Sequence, residues 1–190
     1  MPLQLRRAAY STYARGLRLL RSFGYRGSRF QCPFCGGSFR RMIAGGSPEP
    51  VWVRDDIHPG GCRENLYCPR CYSTDKERFA WLVLGPRVAK SDRVLHIAPE
   101  PHLAMQIQAM SAAYISGDLT PGRAMQVIDI TATAFPDAHF DVVICSQVLE
   151  HIEDDRSAMR EIYRLLAPGG WAYLPTPISN VRAVTYEAPT

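Results

Sequence analysis

One run, residues 140 to 174, constrains the local architecture of this chain more tightly than any other. Phe140-Asp141-Val142-Val143-Ile144-Cys145 reads as a buried apolar strand with an acidic start, and Ser146-Gln147 as its polar end. Val148-Leu149-Glu150-His151-Ile152 follows, then one helix length, then Leu165-Leu166-Ala167-Pro168-Gly169-Gly170 as a turn into an apolar strand from Trp171 to Leu174. Strand, helix and strand in this order form a βαβ unit whose loop carries polar groups.

The same alternation extends upstream. From residue 92 the expected strands are Arg93 to Ala98, Ala113 to Ser116, Gln126 to Ile128 and Phe140 to Cys145, with a helix from Leu103 to Met110 between the first two. This pattern implies an α/β fold with a parallel, Rossmann-like sheet. Ligands in such sheets bind at the carboxyl ends of the strands, near the point where strand order reverses.

The order and wording of residues 140 to 170 resemble the class I S-adenosylmethionine-dependent methyltransferases of the type 11 kind, whose central segment runs FDhhhxxxhLEHh and then hLxPGG, with h apolar. The resemblance implies an S-adenosylmethionine site built from His96, Ala98, Glu100, Asp118, Asp129, Ile130, Ser146 and Gln147. Asp118 closes the second strand 22 residues after His96, a spacing at which a carboxylate can accept from both hydroxyls of an adenosine ribose. Asp129 follows the third strand, where the family commonly has an acidic residue facing the adenine amino group. Each is equally an ordinary loop or capping Asp when taken alone. His151 is a candidate general base for a hydroxyl acceptor, although in the family the equivalent LEH residues often only shape the cofactor pocket and the substrate cavity.

The family's glycine-rich first loop is replaced by His96-Ile97-Ala98-Pro99-Glu100-Pro101-His102. The wording VLHIAPEP is similar to a subgroup of zinc-ribbon-bearing class I methyltransferases often encoded among glycan-biosynthesis genes. Two prolines are expected to preset the loop by restricting φ rather than by permitting unusual values. The backbone amides of residues 100 to 103 are then expected to meet the methionyl carboxylate at the helix start.

Four cysteines form two pairs, Cys32-Pro33-Phe34-Cys35 and Cys68-Pro69-Arg70-Cys71. Two intervening residues let a knuckle turn both sulfurs toward one ion, and two knuckles complete a four-thiolate shell for structural Zn2+. Redox or disulfide pairing is the alternative, disfavoured in a cytoplasmic chain. Residues 36 to 67 are short on regular patterning and rich in Gly, Pro and Arg, so the zinc ribbon is expected to have little core of its own. Cys62 and His58 are read as loop residues and Cys145 as a buried small hydrophobe. The expected organisation is a basic N-terminal helical segment over 1–28, the zinc ribbon over 29–73, a connecting helix and linker over 74–91 with its helix from about Thr74 to Leu84, and a truncated methyltransferase-like domain over 92–190.

Charge is unevenly distributed. Residues 1 to 48 contain nine Arg and no Asp or Glu, whereas residues 49 to 190 contain 13 Lys plus Arg against 18 Asp plus Glu. An Arg-rich helix suits an anionic surface, whether RNA or phospholipid headgroups, and equally a solvated helix packing its Leu side; a mitochondrial presequence has a similar composition. No apolar run reaches the roughly 18 to 20 residues of a membrane span, so no transmembrane segment and a cytoplasmic protein are expected.

A class I sheet normally has seven strands, and the residues after Pro175-Thr176-Pro177 are too few for a helix and two more. A truncated product, a domain completed by another chain or by a second copy, and a degenerate protein are the expectations. The leading reading is an enzyme that transfers a methyl group to an O or N acceptor, a glycan or small metabolite before RNA. The rival is a non-catalytic zinc-ribbon binding or scaffold protein with a degenerate methyltransferase domain.

Overall fold

The computed structural model describes residues 20–184. Most of the Arg-rich helix expected over 1–28 lies outside the described residues; residues 20–24 are helical. Among the described residues no helix is long and apolar enough to cross a membrane.

The N-terminal part is more regular than its composition suggests. It contains β1 (Arg26–Gln31), β2 (Ser38–Phe39), β3 (Ile43–Gly46), the short helix α1 (Pro50–Arg54), β4 (Ile57–His58) and β5 (Cys62–Tyr67). β1 pairs antiparallel with β2, and β3 with β5. Buried Cys32, Phe39, Met42 and Cys68 form its small core, with Tyr25, Phe30 and Phe34 packed around them. The cluster is small, as the sequence implies, and residues 36–67, though short on regular patterning, form several short strands. These strands are stabilised by partners across space, so no long periodic run announces them.

α2 (Asp75–Leu84) starts with a capping box: the Thr74 side chain accepts from Glu77 N–H, and the Glu77 side chain accepts from Thr74 N–H. β6 (Arg93–Ile97), α3 (Pro101–Met110), β7 (Ala113–Asp118), β8 (Gln126–Val127), β9 (Phe140–Cys145), a 3-10 turn (Leu149–His151), α4 (Asp155–Leu165), β10 (Leu166–Tyr173) and β11 (Ile178–Ser179) complete the described fold. The sheet is wholly parallel in the order β10-β9-β6-β7-β8, the Rossmann-like arrangement expected from the sequence.

Alternation along the strands sends successive side chains to opposite faces. Val94, Val142 and Ile144 pack with Leu84, Leu103 and Ile107, whereas Leu95, Val143 and Cys145 pack with Ala158, Ile162 and Leu165. Burial on both faces explains why Val142-Val143-Ile144 is uninterruptedly apolar. α2 therefore belongs to the helical layer beside α3, where Ala80, Leu84 and Val88 join the core.

Two details depart from expectation. β10 begins at Leu166, and Pro168-Gly169-Gly170 lies within it, where the register against β9 shifts between Leu166 and Trp171. After β10 the chain crosses to the N-terminal part, where β11 pairs antiparallel with β4. The Ser179 hydroxyl donates to the Asp55 carbonyl, and Arg182 pairs with the Asp55 carboxylate at 3.0 Å.

Candidate active site

Strand order reverses between β6 and β9, opening a crevice at their carboxyl ends. His96 is fully buried there, with Nδ1 3.0 Å from the Tyr114 hydroxyl and Nε2 3.0 Å from Glu100 Oε2. Burial pushes the Tyr114 phenol up, keeping its proton for a bond to Nδ1 and leaving Nε2–H to donate to Glu100. His96 thus orients the Glu100 side chain from beneath the loop.

Ala98 sits at φ 48° and donates its N–H to the Gly117 carbonyl at 2.7 Å. The expectation that the prolines avoid unusual φ values is therefore corrected: Ala98 adopts the left-handed conformation that glycine takes without steric cost. The helix start is also differently used. Pro101 occupies the first position of α3, and the His102 N–H donates to Glu77 Oε1 at 3.0 Å. The expectation that residues 100 to 103 present their amides to a ligand carboxylate is thus corrected at His102, where the protein's own carboxylate stands.

Asp118 and Asp129 end the neighbouring β7 and β8 at the same edge, with Asp118 paired in register to Val127. Asp118 Oδ1 accepts from Thr120 N–H at 2.7 Å, and Asp129 Oδ1 accepts from Thr131 N–H at 2.9 Å and its hydroxyl at 2.7 Å. The Thr131 backbone bond, then its hydroxyl, holds Asp129 below the usual carboxylate range. Each carboxylate keeps a second oxygen with no donor among the described residues. Ile130 is buried and packs in the core with Ile128 and Phe140.

At the end of β9, Ser146 is buried and Gln147 takes φ 56°. Gln147 N–H and Nε2–H both donate to the Pro175 carbonyl, at 2.9 and 3.2 Å, so its Oε1 is free to accept from Lys76 Nζ at 2.8 Å. Ser146, Gln147, Asp75, Lys76, Phe79 and Tyr173 line a cavity of about 330 Å³, with His58 and Pro59 also in its wall. His151 is exposed on the 3-10 turn and does not line this cavity. Lys76 went unrecognised in the sequence, where it is one polar residue in a helix's first turn. Its proximity to Gln147, 71 positions away, is a tertiary fact.

The four sulfurs of Cys32, Cys35, Cys68 and Cys71 lie within 4.8 Å of one another. Cys32 and Cys71 approach to 3.6 Å, and Cys35 and Cys68 to 3.7 Å. These separations match the edges of a tetrahedron with metal–sulfur bonds of about 2.3 Å and exceed a disulfide bond of about 2.05 Å. All six cysteines are free. The knuckles repeat each other: Gly36 N–H donates to the Cys32 carbonyl and Tyr72 N–H to the Cys68 carbonyl, with Gly36 and Tyr72 at φ 66° and 69°. His58 and Cys62 lie outside the cluster, and burial pushes the Cys145 thiol up to about 12. A second cavity, about 440 Å³, lies between β5 and α2, away from the crevice.

Glu77 and His102 connect the cysteine cluster to the crevice. Glu77 accepts from Thr74 N–H at 2.8 Å, the Thr74 hydroxyl at 3.0 Å and His102 N–H at 3.0 Å. The His102 ring spans Glu77 Oε1, 3.1 Å from Nδ1, and the Cys71 carbonyl, 2.9 Å from Nε2.

A wholly parallel sheet with this strand order and carboxylates after its strand ends defines a Rossmann-like domain. Residues 91–174 match the family model described as a methyltransferase domain. The chain is 37% identical over 71 residues to the ubiquinone biosynthesis O-methyltransferase of Pseudomonas paraeruginosa, covering 36% of this chain and 31% of that protein. The protein of the same name from Thiobacillus denitrificans is 34% identical over 65 residues, covering 33% of this chain and 28% of that one. The chain thus spans about a third of the length of these relatives. Among solved structures, the YcgJ protein of Bacillus subtilis superposes with a TM-score of 0.46 at 23% identity, over 50% of this chain and 48% of that one.

Glu77→Gln is expected to lower stability by about 1–3 kcal/mol, because a buried acceptor with several donors is replaced by an amide that satisfies fewer. Burial opposes ionisation of Glu77, but the bonds from Thr74 and His102 outweigh it and hold the carboxyl below its ordinary value. Its contribution is therefore complete above roughly pH 5 and lost as pH falls through the lowered folded value. Denaturant titrations from pH 7 to pH 3 check this; equal acid sensitivity in both proteins rejects it.

Proposed function

We propose that this chain binds S-adenosylmethionine at the carboxyl ends of β6, β7 and β8 and directs its methyl group to an oxygen or nitrogen acceptor lodged beyond β9. The observation that carries the reading is the pair of carboxylates, Asp118 and Asp129, each with one oxygen committed to a local Thr and the other free, beside a crevice at the sheet's reversal point. Asp118 suits the ribose hydroxyls and Asp129 the adenine amino group. Ala98 brings backbone close to the ligand, with Glu100 at its side. When bound, S-adenosylmethionine supplies an electrophilic methyl carbon on a sulfonium. The protein's task is then to align an acceptor lone pair with that carbon, and Ser146 and Gln147 stand between the two halves of the site. His151, on the exposed turn, is a candidate base at the rim and not part of the cavity wall. The relatives' name favours an oxygen acceptor, and the subgroup resemblance a glycan or small metabolite.

The four thiols fit structural zinc, which in our reading fastens the N-terminal part so that His58 and Pro59 wall the cavity. Cys68→Ser, or treatment with a strong chelator, is expected to unfold residues 30 to 72, since metal binding supplies on the order of 10 kcal/mol to comparable small domains. Metal analysis by mass spectrometry and amide hydrogen exchange check it. Metal-free protein with the same protection in this segment counts against it.

RNA is the second reading for the partner. Arg21, Arg26, Arg29 and Arg41 lie over the rings of Tyr72, Phe23, Phe30 and Tyr25, at 5.0 to 5.8 Å from their centroids. All four are exposed, and none has an ion pair among the described residues. Such a face suits unstacked bases and phosphates. Filter binding with single-stranded RNA is expected to weaken steeply with salt, and each Arg→Ala change to reduce the slope by about 0.7. A flat salt response removes this reading.

The central test is calorimetry with S-adenosylhomocysteine. Binding is expected in the wild-type chain, and Asp118→Ala is expected to weaken it roughly tenfold or more through loss of charge-assisted hydrogen bonds. Absence of binding to well-folded protein leaves the scaffold reading in its place.

A further inference from the structure

The cavity beyond β9 contains a cation, Lys76, that has no ion-pair partner among the described residues. Lys76 stands in the first turn of α2 between two carboxylates that are already engaged. Asp75 accepts from Lys76 N–H at 2.8 Å and lies 3.3 Å from the Arg63 guanidinium, while Glu77 is held by Thr74 and His102. The Lys76 ammonium has three donors, but its one acceptor among the described residues is the neutral Gln147 Oε1 at 2.8 Å. Half-burial, then the nearby Arg63, disfavours its charge; Asp75, Glu150 and Glu100 act in the opposite sense from beyond ion-pair distance. A partly desolvated ammonium at a cavity wall is best satisfied by an anion.

The remaining walls define the rest of the occupant. Phe79 and Tyr173 provide rings, Pro59 and Pro175 apolar surface, and Asp75 a carboxylate already paired with Arg63, around a space of about 330 Å³. None of residues 96 to 118 lines it, so the cavity lies on the acceptor's side of Ser146 and Gln147. Gln147, fixed by its two bonds to Pro175, holds Lys76 toward that space.

Resting on the methyltransferase reading above, we propose that this cavity takes a small methyl acceptor bearing a carboxylate or phosphate group, and that Lys76 is the residue selecting it. The anion anchors the acceptor against Lys76 while its ring or chain lies between Phe79 and Tyr173. The reacting hydroxyl or amine is thereby left to face the crevice.

The test uses benzoate and phenyl phosphate as anionic probes and benzamide and phenol as their neutral counterparts, titrated calorimetrically into the full chain with and without saturating S-adenosylhomocysteine. The wild-type chain is expected to bind the anions roughly tenfold more tightly or better, the size of one charge-assisted bond. Benzoate against phenyl phosphate distinguishes the two anions. Lys76→Met is expected to abolish the preference, Lys76→Arg to retain it, and S-adenosylhomocysteine affinity to be unchanged in both. No anion preference in the wild-type chain overturns the proposal, as does a preference that survives Lys76→Met. A loss of S-adenosylhomocysteine affinity in Lys76→Met also overturns it, because Lys76 then serves the cofactor's carboxylate. Should Lys76→Met fail to fold, the wild-type comparison and Lys76→Arg decide. Failure of S-adenosylhomocysteine to bind the wild-type chain sinks the methyltransferase reading separately, and the anion preference is then read on the ligand-free chain.

Discussion

The buried carboxylate of Glu77 is the contact through which the parts of this molecule are related. It closes the capping box that starts α2, occupies the N-terminus of α3 through His102, and through the His102 ring reaches the carbonyl of a knuckle cysteine. An uncompensated charge in that position would be costly; with donors on every side it becomes a rigid junction. The cysteine cluster, the helical layer and the loop after β6 are thereby held in one register, and the cavity beyond β9 inherits its walls from that register.

The junction also explains the loop after β6. A helix N-terminus is a natural place for a ligand's negative charge, and here a side chain from α2 has already taken part of it. Lys76, one residue before Glu77, instead presents positive charge to the cavity on the other side. The turn in between is built without glycine, with Ala98 accepting the left-handed backbone and buried His96 bracing Glu100 from below.

What could be read from the residues alone follows from the range of the forces involved. Phe140 to Cys145 was legible because burial on both faces imposes a nearly continuous apolar run, and α2 because Thr74 and Glu77 cap a helix within four residues of each other. The carboxyl-edge positions of Asp118 and Asp129 follow from the strand pattern. The short strands between Arg26 and Tyr67 were not legible, since most are only two to six residues long and are specified by their partners. Lys76 gave no local sign of its role and Glu77 none beyond the cap, because their further contacts lie 71 and 25 residues away.

The pairing of β11 with β4 bears on how the molecule assembles. The Asp55 carbonyl and Ser179 are 124 positions apart, so the wall containing His58 and Pro59 is secured by one of the longest chain closures in the fold. Such closures form after local helices and neighbouring strands have reduced the entropy of bringing their ends together. The sheet can therefore be in place before the cavity beyond β9 gains that wall, and the seam between β11 and β4 can open locally without disturbing the sheet.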